Sequence, residues 1–399
     1  MPALMIIGDG MADVPLSELG GHTPLEVAGC PNMARLCSKG RSGLFDPLGP
    51  GIVAESAEAI MTILGYGHHL THLSRGPLEV LGAGLDLEEG DIAFRCNFSL
   101  VDEDLQIQNE RVEVPENSRL DLIQSLQDYC RSSWGVDLVF KLTWRFKGVM
   151  LLKGENLSSE VITPPPRRGE EALAVRPLTE SADSTRTAMI INSIIEESNR
   201  ILSKSGCQPG VDAPANILIP WGIGRKISLE PFSTKHGLNA TCVAGASLVR
   251  GIGEACGMTV PLIAGATGGV DTNIEAKAEA AIEACKDHDF VLVHVGGPDE
   301  ASHDGEVQSK VKIIKKIDSM LGDILERTSL EGILVTLLSD HTSSTALRRH
   351  TPHPTPIVIT GSRMASDDVR EYTESAASKG GLGRITGAML MKTILGLVG

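Results

Sequence analysis

No two of the eight cysteines form a C-x-x-C pair, and no run of lysine and arginine is long enough to make a basic patch. No apolar stretch approaches the ~20 residues that a membrane span needs. Each absence removes a class of protein. Cysteines scattered at 30, 37, 96, 130, 207, 242, 256 and 285 read as buried apolar thiols in a reducing compartment, not as a disulfide framework or a zinc ribbon. A formal charge of −15, from 51 acidic against 36 basic residues, would repel a polyphosphate backbone, so neither nucleic acid nor a membrane is expected as a partner. The same field favours metal cations, together with a small anion held by a few individually placed Arg and Lys. Met1-Pro2-Ala3 runs straight into an apolar segment without a leader-like stretch, and a cytoplasmic protein is expected. Internal repeats and low-complexity tracts are also missing.

What the chain does have is strand–helix alternation. Its 399 residues, 42% of them hydrophobic, suffice for two or three domains and an ample core. Residues 4–7 are a continuous apolar run, suited to a strand buried on both faces. Residues 31–39 read as a helix with Pro31 in the first turn and Gly40 past the end. Residues 57–64 also look helical, which sets the Ser56 hydroxyl near a helix N-terminus, where partial positive charge favours an alkoxide or a phosphate.

The character changes near residue 90. From Asp91 to about Val114 the pattern alternates (Ile92, Phe94, Cys96, Phe98, Leu100), as in a half-exposed antiparallel sheet. A helix near 120–129, strands at 136–142 and 149–153, and a stiff Pro164-Pro165-Pro166-Arg167-Arg168 segment complete a smaller α+β unit, assigned to residues 89–184. Residues 1–88 and 185–399 form the rest. There, helices at 187–202, 276–285 and 311–326 alternate with strands at 216–219, 240–244, 290–295, 333–338 and 357–360. The prediction is an α/β fold, a mostly parallel sheet with helices on both faces, carrying the inserted unit.

Ligands of such sheets gather at the carboxyl ends of strands, and Asp9, Asp299 and Asp340 each stand just after a predicted strand. Asp299 and His303 are four apart, so in a helix they share one face and can clasp one ion. Alone, such a pair is more often a surface feature. Asp340-His341 follows Leu334-Val335-Thr336-Leu337-Leu338 directly and could equally cap a helix. His350 lies in a Pro-rich loop where a surface histidine is the default, and His353 is taken as surface. Together, three carboxylates and three imidazoles at one sheet edge, with Ser56, supply what two-metal phosphoryl transfer needs: hard oxygen ligands, imidazoles and a hydroxyl nucleophile. Arg75, Arg95 and Lys235 are the candidate cations for an anionic substrate, each weighed against a plain solvated charge. His68, His69 and His72 read as a solvated turn. Residues 265–269 read as a strand-to-helix turn, with Asp271 or Thr272 capping the next helix, in preference to a phosphate cradle.

Several stretches recur in order along nearly the whole chain: Gly8-Asp9-Gly10-Met11-Ala12-Asp13, His22-Thr23-Pro24-Leu25-Glu26, Arg75-Gly76-Pro77-Leu78-Glu79, Gly265-Ala266-Thr267-Gly268-Gly269, Asp299-Glu300-Ala301-Ser302-His303-Asp304 and Gly380-Gly381-Leu382-Gly383-Arg384. They resemble the alkaline phosphatase superfamily, and more closely the archaeal-type 2,3-bisphosphoglycerate-independent phosphoglycerate mutases. The resemblance implies an alkaline-phosphatase-like domain binding two divalent ions. One would be held by Asp9, Ser56, Asp340 and His341, the other by Asp299, His303 and His350. Such ligands suit Mn²⁺ first, with Co²⁺, Zn²⁺ or Mg²⁺ able to serve. The implied reaction is the interconversion of 2- and 3-phosphoglycerate in glycolysis and gluconeogenesis, through a phosphoserine at Ser56 and without 2,3-bisphosphoglycerate. Lys235 would lie near the transferring phosphate, and the inserted unit would close to exclude water. The partner implied is a small phosphoglycerate substrate, and a homo-oligomer stays open.

The chain departs from that family's pattern in three places. It has Val161-Ile162-Thr163-Pro164-Pro165-Pro166 where acidic residues and a His are usual, Asn109-Glu110-Arg111 in place of an Arg-rich stretch, and Ala57-Glu58 after Ser56 in place of Asp-Thr. The implied ligand set is untouched. The departures keep open a rival within the superfamily, a metal-dependent phosphomonoesterase or a phosphotransferase with another small acceptor. A non-catalytic metal-binding descendant would show a broken ligand set.

Overall fold

The structure is a computed structural model that describes residues 1–68, 74–204 and 214–398. His69, His72 and Cys207 lie outside the described residues. Two compact units divide the chain: Met1–Leu73 with Leu229–Gly399, and Ser74–Ser228.

The first unit is built on a seven-stranded sheet of β1 (Ala3–Gly8), β2 (Arg41–Asp46), β3 (Ala240–Val243), β4 (Phe290–Val295), β5 (Leu334–Leu338), β6 (Thr355–Thr360) and β7 (Gly383–Thr386), in spatial order β3-β4-β1-β5-β6-β2-β7. Only β6 runs against its neighbours; the other pairings are parallel. The continuous apolar runs dictate the centre. β1, β4 and β5 are buried along their whole length, as strands covered on both faces must be. Leu4, Ile6, Val291, Val293 and Val335 pack one face against Met33, Leu36, Ile282, Ile314, Ile317 and Leu321. Met5, Ile7, Leu292 and Leu338 alternate with them and are equally buried. The helix at Pro31–Lys39 has the bounds read from its flanking Pro and Gly.

The second unit centres on the strand Ile92–Val101, paired antiparallel with Lys147–Lys153 on one side and Ile217–Gly224 on the other; Asp137–Trp144 follows beyond Lys147–Lys153. Helices Glu116–Trp134 and Ala182–Lys204 close one face, burying Phe94, Cys96 and Phe98 with Leu122, Leu126, Ile190, Ile191, Ile194 and Ile195. Two readings change here. The unit spans Ser74–Ser228, not 89–184, because the helix at 182–204 and the strand at 217–224 complete this sheet's core and not that of the large sheet. Strand–helix alternation alone cannot say which sheet a strand joins. The central strand is also buried on both faces, not half-exposed: Arg95, Asn97 and Ser99 are as covered as the apolar residues between them. The Arg75–Gly82 helix presses on that second face, where a Cβ at Gly76 would come within 2.5 Å of the Ala93 and Gly222 carbonyl oxygens.

Candidate metal centre

β4, β1 and β5 are parallel neighbours, so their carboxyl ends open on one edge. Asp9 leaves β1. The helix Gly297–Asp304 follows β4 and carries Asp299 and His303 on one face. Asp340 and His341 follow β5, and no helix starts there. The chain enters a hairpin of Thr342–Ser344 and Arg349–Thr351, whose return strand brings back His350. Ser56 is the first residue of the helix Ser56–Ile63.

All seven predicted ligands meet. His341 Nε2 is 3.1 Å from Ser56 Oγ, 3.1 Å from Asp9 Oδ1 and 3.5 Å from Asp340 Oδ2. Asp299 Oδ2 is 3.4 Å from His303 Nε2, and its Oδ1 is 3.3 Å from His350 Nε2. The two sets adjoin, since the His341 and His350 rings stack with centroids 3.8 Å apart. Ligand atoms of Asp9, Asp340 and His341 lie within 4.8 Å of one another, as do those of Asp299, His341 and His350.

The residues fit divalent cations. His303 Nδ1 is 3.0 Å from the Arg348 carbonyl and His350 Nδ1 is 2.9 Å from the Ala54 carbonyl. A carbonyl only accepts, so each Nδ1 carries the proton that it donates, and each ring turns Nε2 inward. Those two Nε2 atoms face each other at 3.3 Å with Asp299 beside them. Asp9 Oδ1 and Asp340 Oδ2 are buried without a hydrogen bond. Protons take the place of positive charge in such a cluster: burial, then the Asp9 and Asp299 charges, push Asp340 well above the carboxylate range. Burial lowers His350, but Asp299 outweighs it and lifts the imidazole to about 9. Converging imidazole and carboxylate donors with fixed outer hydrogen bonds are a site for borderline to hard divalent ions.

Three polar residues of the site were missed from the sequence. Ser343 Oγ lies 2.6 Å from Asp299 Oδ1 and 3.1 Å from His341 Nδ1. Ser339 Oγ accepts from Met11 N at 2.9 Å and donates to the His341 carbonyl at 2.8 Å. His294, fully buried in β4, sets Nε2 3.3 Å from Asp9 Oδ2. Its signal was there, since a lone imidazole interrupts an otherwise apolar strand. Behind the site, the buried Lys310 ammonium donates to Ala12 O, Asp13 Oδ2 and Ser343 O at 3.2, 2.9 and 2.8 Å, tying the loops after β1 and β5 together.

The three candidate cations have partners of their own. In the second unit, Arg75 and Arg95 share Glu79 and lie with their guanidinium carbons 5.5 and 5.0 Å from the Trp221 ring centre. Lys235 sits over the Tyr66 ring, beside Gly65 at the end of the Ser56–Ile63 helix opposite to Ser56. The 265–269 segment is a turn, but Asn273 caps the helix that follows. Asp271 and Thr272 are engaged with Thr267 instead. His68 and His353 are exposed.

Comparison with known proteins gives first the class and then the family. A family model described as the metalloenzyme superfamily matches residues 1–396. The chain is 38% identical to 2,3-bisphosphoglycerate-independent phosphoglycerate mutase 1 of Methanothermobacter thermautotrophicus, over 100% of this chain and 98% of the relative. It is equally 38% identical to the 2,3-bisphosphoglycerate-independent phosphoglycerate mutase of Methanopyrus kandleri, over 98% of this chain and 95% of the relative. The solved structure of cofactor-independent phosphoglycerate mutase from Thermoplasma acidophilum matches with a TM-score of 0.64 at 25% identity, covering 100% of both chains. The PH0037 protein of Pyrococcus horikoshii matches with a TM-score of 0.79 at 31% identity, covering 100% of this chain and 97% of that one. The chain belongs to the metalloenzyme superfamily and, within it, to the 2,3-bisphosphoglycerate-independent phosphoglycerate mutases.

Proposed function

We propose that this chain interconverts 2-phosphoglycerate and 3-phosphoglycerate without 2,3-bisphosphoglycerate, using Ser56 as the phosphoryl carrier. The observation that carries the proposal is the Ser56 hydroxyl, which opens a helix and lies 3.1 Å from His341 Nε2 amid the converging ligands. Two divalent ions, Mn²⁺ foremost and Co²⁺, Zn²⁺ or Mg²⁺ as substitutes, would be held by Asp9, Ser56, Asp340 and His341 and by Asp299, His303 and His350. When bound they would acidify the seryl hydroxyl and neutralise charge on the phosphoryl oxygens.

Ser56 Oγ gives up its proton as it attacks phosphorus, the bond to the glycerate oxygen breaks, and that oxygen takes up a proton. The glycerate's other hydroxyl then loses its proton as it attacks the phosphoserine, and the departing Ser56 oxygen takes one up. The N-terminus of the Ser56–Ile63 helix favours the charge that the serine carries between the two steps. Arg75 and Arg95, planar donors already braced by Glu79, suit the substrate carboxylate. A cytoplasmic setting belongs to the same proposal; it is supported by the free state of the seven described cysteines, and no described helix is long and apolar enough to cross a membrane.

An enolase-coupled assay on metal-loaded protein tests the reading. Turnover of 3-phosphoglycerate is expected, with a loss of at least ~10³-fold in Ser56→Ala. Free phosphate without isomerised product would refute the mutase and leave a phosphomonoesterase. Full turnover by Ser56→Ala would remove Ser56 from the mechanism.

A further inference from the structure

We infer that Ser343 couples the two ligand sets of the metal centre and fixes the proton on His341, an inference that rests on the metal-centre reading above. The argument is one of hydrogen-bond direction. Ser343 Oγ touches a carboxylate oxygen, Asp299 Oδ1, at 2.6 Å, and a ring nitrogen, His341 Nδ1, at 3.1 Å. A hydroxyl has a single hydrogen, and an oxygen–oxygen contact of 2.6 Å requires one in between. The carboxylate can only accept, so the seryl hydrogen points to Asp299. The remaining contact must then run from His341 Nδ1–H to Ser343 Oγ, which leaves His341 Nε2 as the lone pair facing Ser56, Asp9 and Asp340.

His303 and His350 fix their Nδ1–H against backbone carbonyls. His341 alone depends on a side chain, and that side chain also holds a ligand of the other set. The chain His341 Nδ1–H to Ser343 O–H to Asp299 is directional, so polarisation at one end strengthens the other. An ion on His341 Nε2 would make Nδ1–H a stronger donor and pull Asp299 Oδ1 further into register for the second ion. Ser343 is built for this. It is fully buried, its backbone N donates to Ala12 O at 3.2 Å, and its carbonyl accepts from Lys310 Nζ at 2.8 Å. Gly10 leaves the room, since a Cβ there would come within 2.4 Å of Ser343 Oγ.

The test uses the full chain, stripped of metal, with ¹⁵N-labelled histidine and no substrate. Long-range ¹H–¹⁵N correlation should show His341 of the wild type as the Nδ1–H tautomer. It should show Ser343→Ala shifted toward Nε2–H, and Ser343→Thr, which retains the hydroxyl, like the wild type. Calorimetric titration with Mn²⁺ alone should give two binding events in the wild type. Ser343→Ala should weaken both by roughly 10- to 100-fold, with Ser343→Thr much closer to wild type. A wild-type His341 found as Nε2–H overturns the inference without any variant. So does a Ser343→Ala protein with unchanged tautomer or unchanged isotherm, or an equal loss in both variants. Wild-type protein that binds no Mn²⁺ would instead sink the metal reading beneath it.

Discussion

Replacing Lys277 by Met should remove a pH dependence of stability whose size can be worked out in advance. Lys277 is fully buried on the helix Ile274–Asp287, and its ammonium is held by two backbone carbonyls, His294 O at 3.0 Å and Thr267 O at 3.4 Å. Among the described residues no carboxylate forms an ion pair with it. Burial pushes its pKa down to about 8 from the ordinary 10.5. Below about 8 both folded and unfolded chains carry the charge, and the fold bears the full penalty of a desolvated ammonium. Between about 8 and 10.5 the unfolded chain binds a proton that the folded chain has released, so stability rises with pH across that window. The gap is worth about 3 kcal/mol. Buried thiols act in the opposite sense: burial raises Cys242 and Cys256 to about 12, so their contribution falls as pH passes the unfolded thiol value. Parallel urea unfolding of wild type and Lys277→Met cancels Cys256 and leaves of Cys242 only the small part that the Lys277 charge itself contributes. Relative to the variant, the wild type should gain about 3 kcal/mol between pH 7.5 and 10.5. A difference that stays flat within about 1 kcal/mol, or a ¹³Cε titration of Lys277 centred near 10.5, refutes the reasoning.

Three further outcomes follow from other parts of the molecule. Lys310→Met strands the fully buried Asp13 carboxylate and should cost about 3–5 kcal/mol in chemical denaturation, far more than an exposed Lys would. Arg95→Lys gives up the planar guanidinium braced by Glu79 and stacked on Trp221. In the coupled assay it should raise KM for phosphoglycerate by roughly tenfold with little change in kcat, whereas an unchanged KM removes Arg95 from substrate recognition. Chelation should abolish turnover and lower the melting temperature, with Mn²⁺ restoring both. Ions at about a hundred times their dissociation constant contribute about 2.7 kcal/mol of stability.

The convergence of these side chains was legible because its signals are local and positional. Asp9, Asp299 and Asp340 follow apolar runs, and parallel strands put their carboxyl ends on one edge whatever the loops do. The Asp299–His303 pair needed only four residues of helix to become a clasp. Asp340 and His341 were ambiguous, because nothing short-range tells a helix cap from a ligand pair before a hairpin. Ser343 and Ser339 were missed because a serine beside a ligand looks like any other serine until the loop closes around it. The division of the chain was misjudged for a different reason. The strand 217–224 is apolar like those of the large sheet, and only its pairing with Ile92–Val101 reveals its home. Arg95 read as a residue on an exposed strand face. Its burial depends on Glu79 and Trp221, 16 positions before it and 126 after it, a distance that no periodicity spans.

The place of β1 has a consequence for how the protein is made. Both hydrogen-bonding edges of β1 belong to strands that begin at residues 290 and 334, so its first neighbour follows its last residue by 282 positions. At ribosomal speeds of about 5–20 residues per second, Leu4, Met5, Ile6 and Ile7 wait roughly 15–60 s with neither edge covered. An apolar, uncharged β segment left bare that long is an invitation to pair with other nascent chains. The unit from Ser74 to Ser228 is contiguous and can close in the meantime. The topology therefore leaves the amino-terminal strand uncovered until residue 290 has been made.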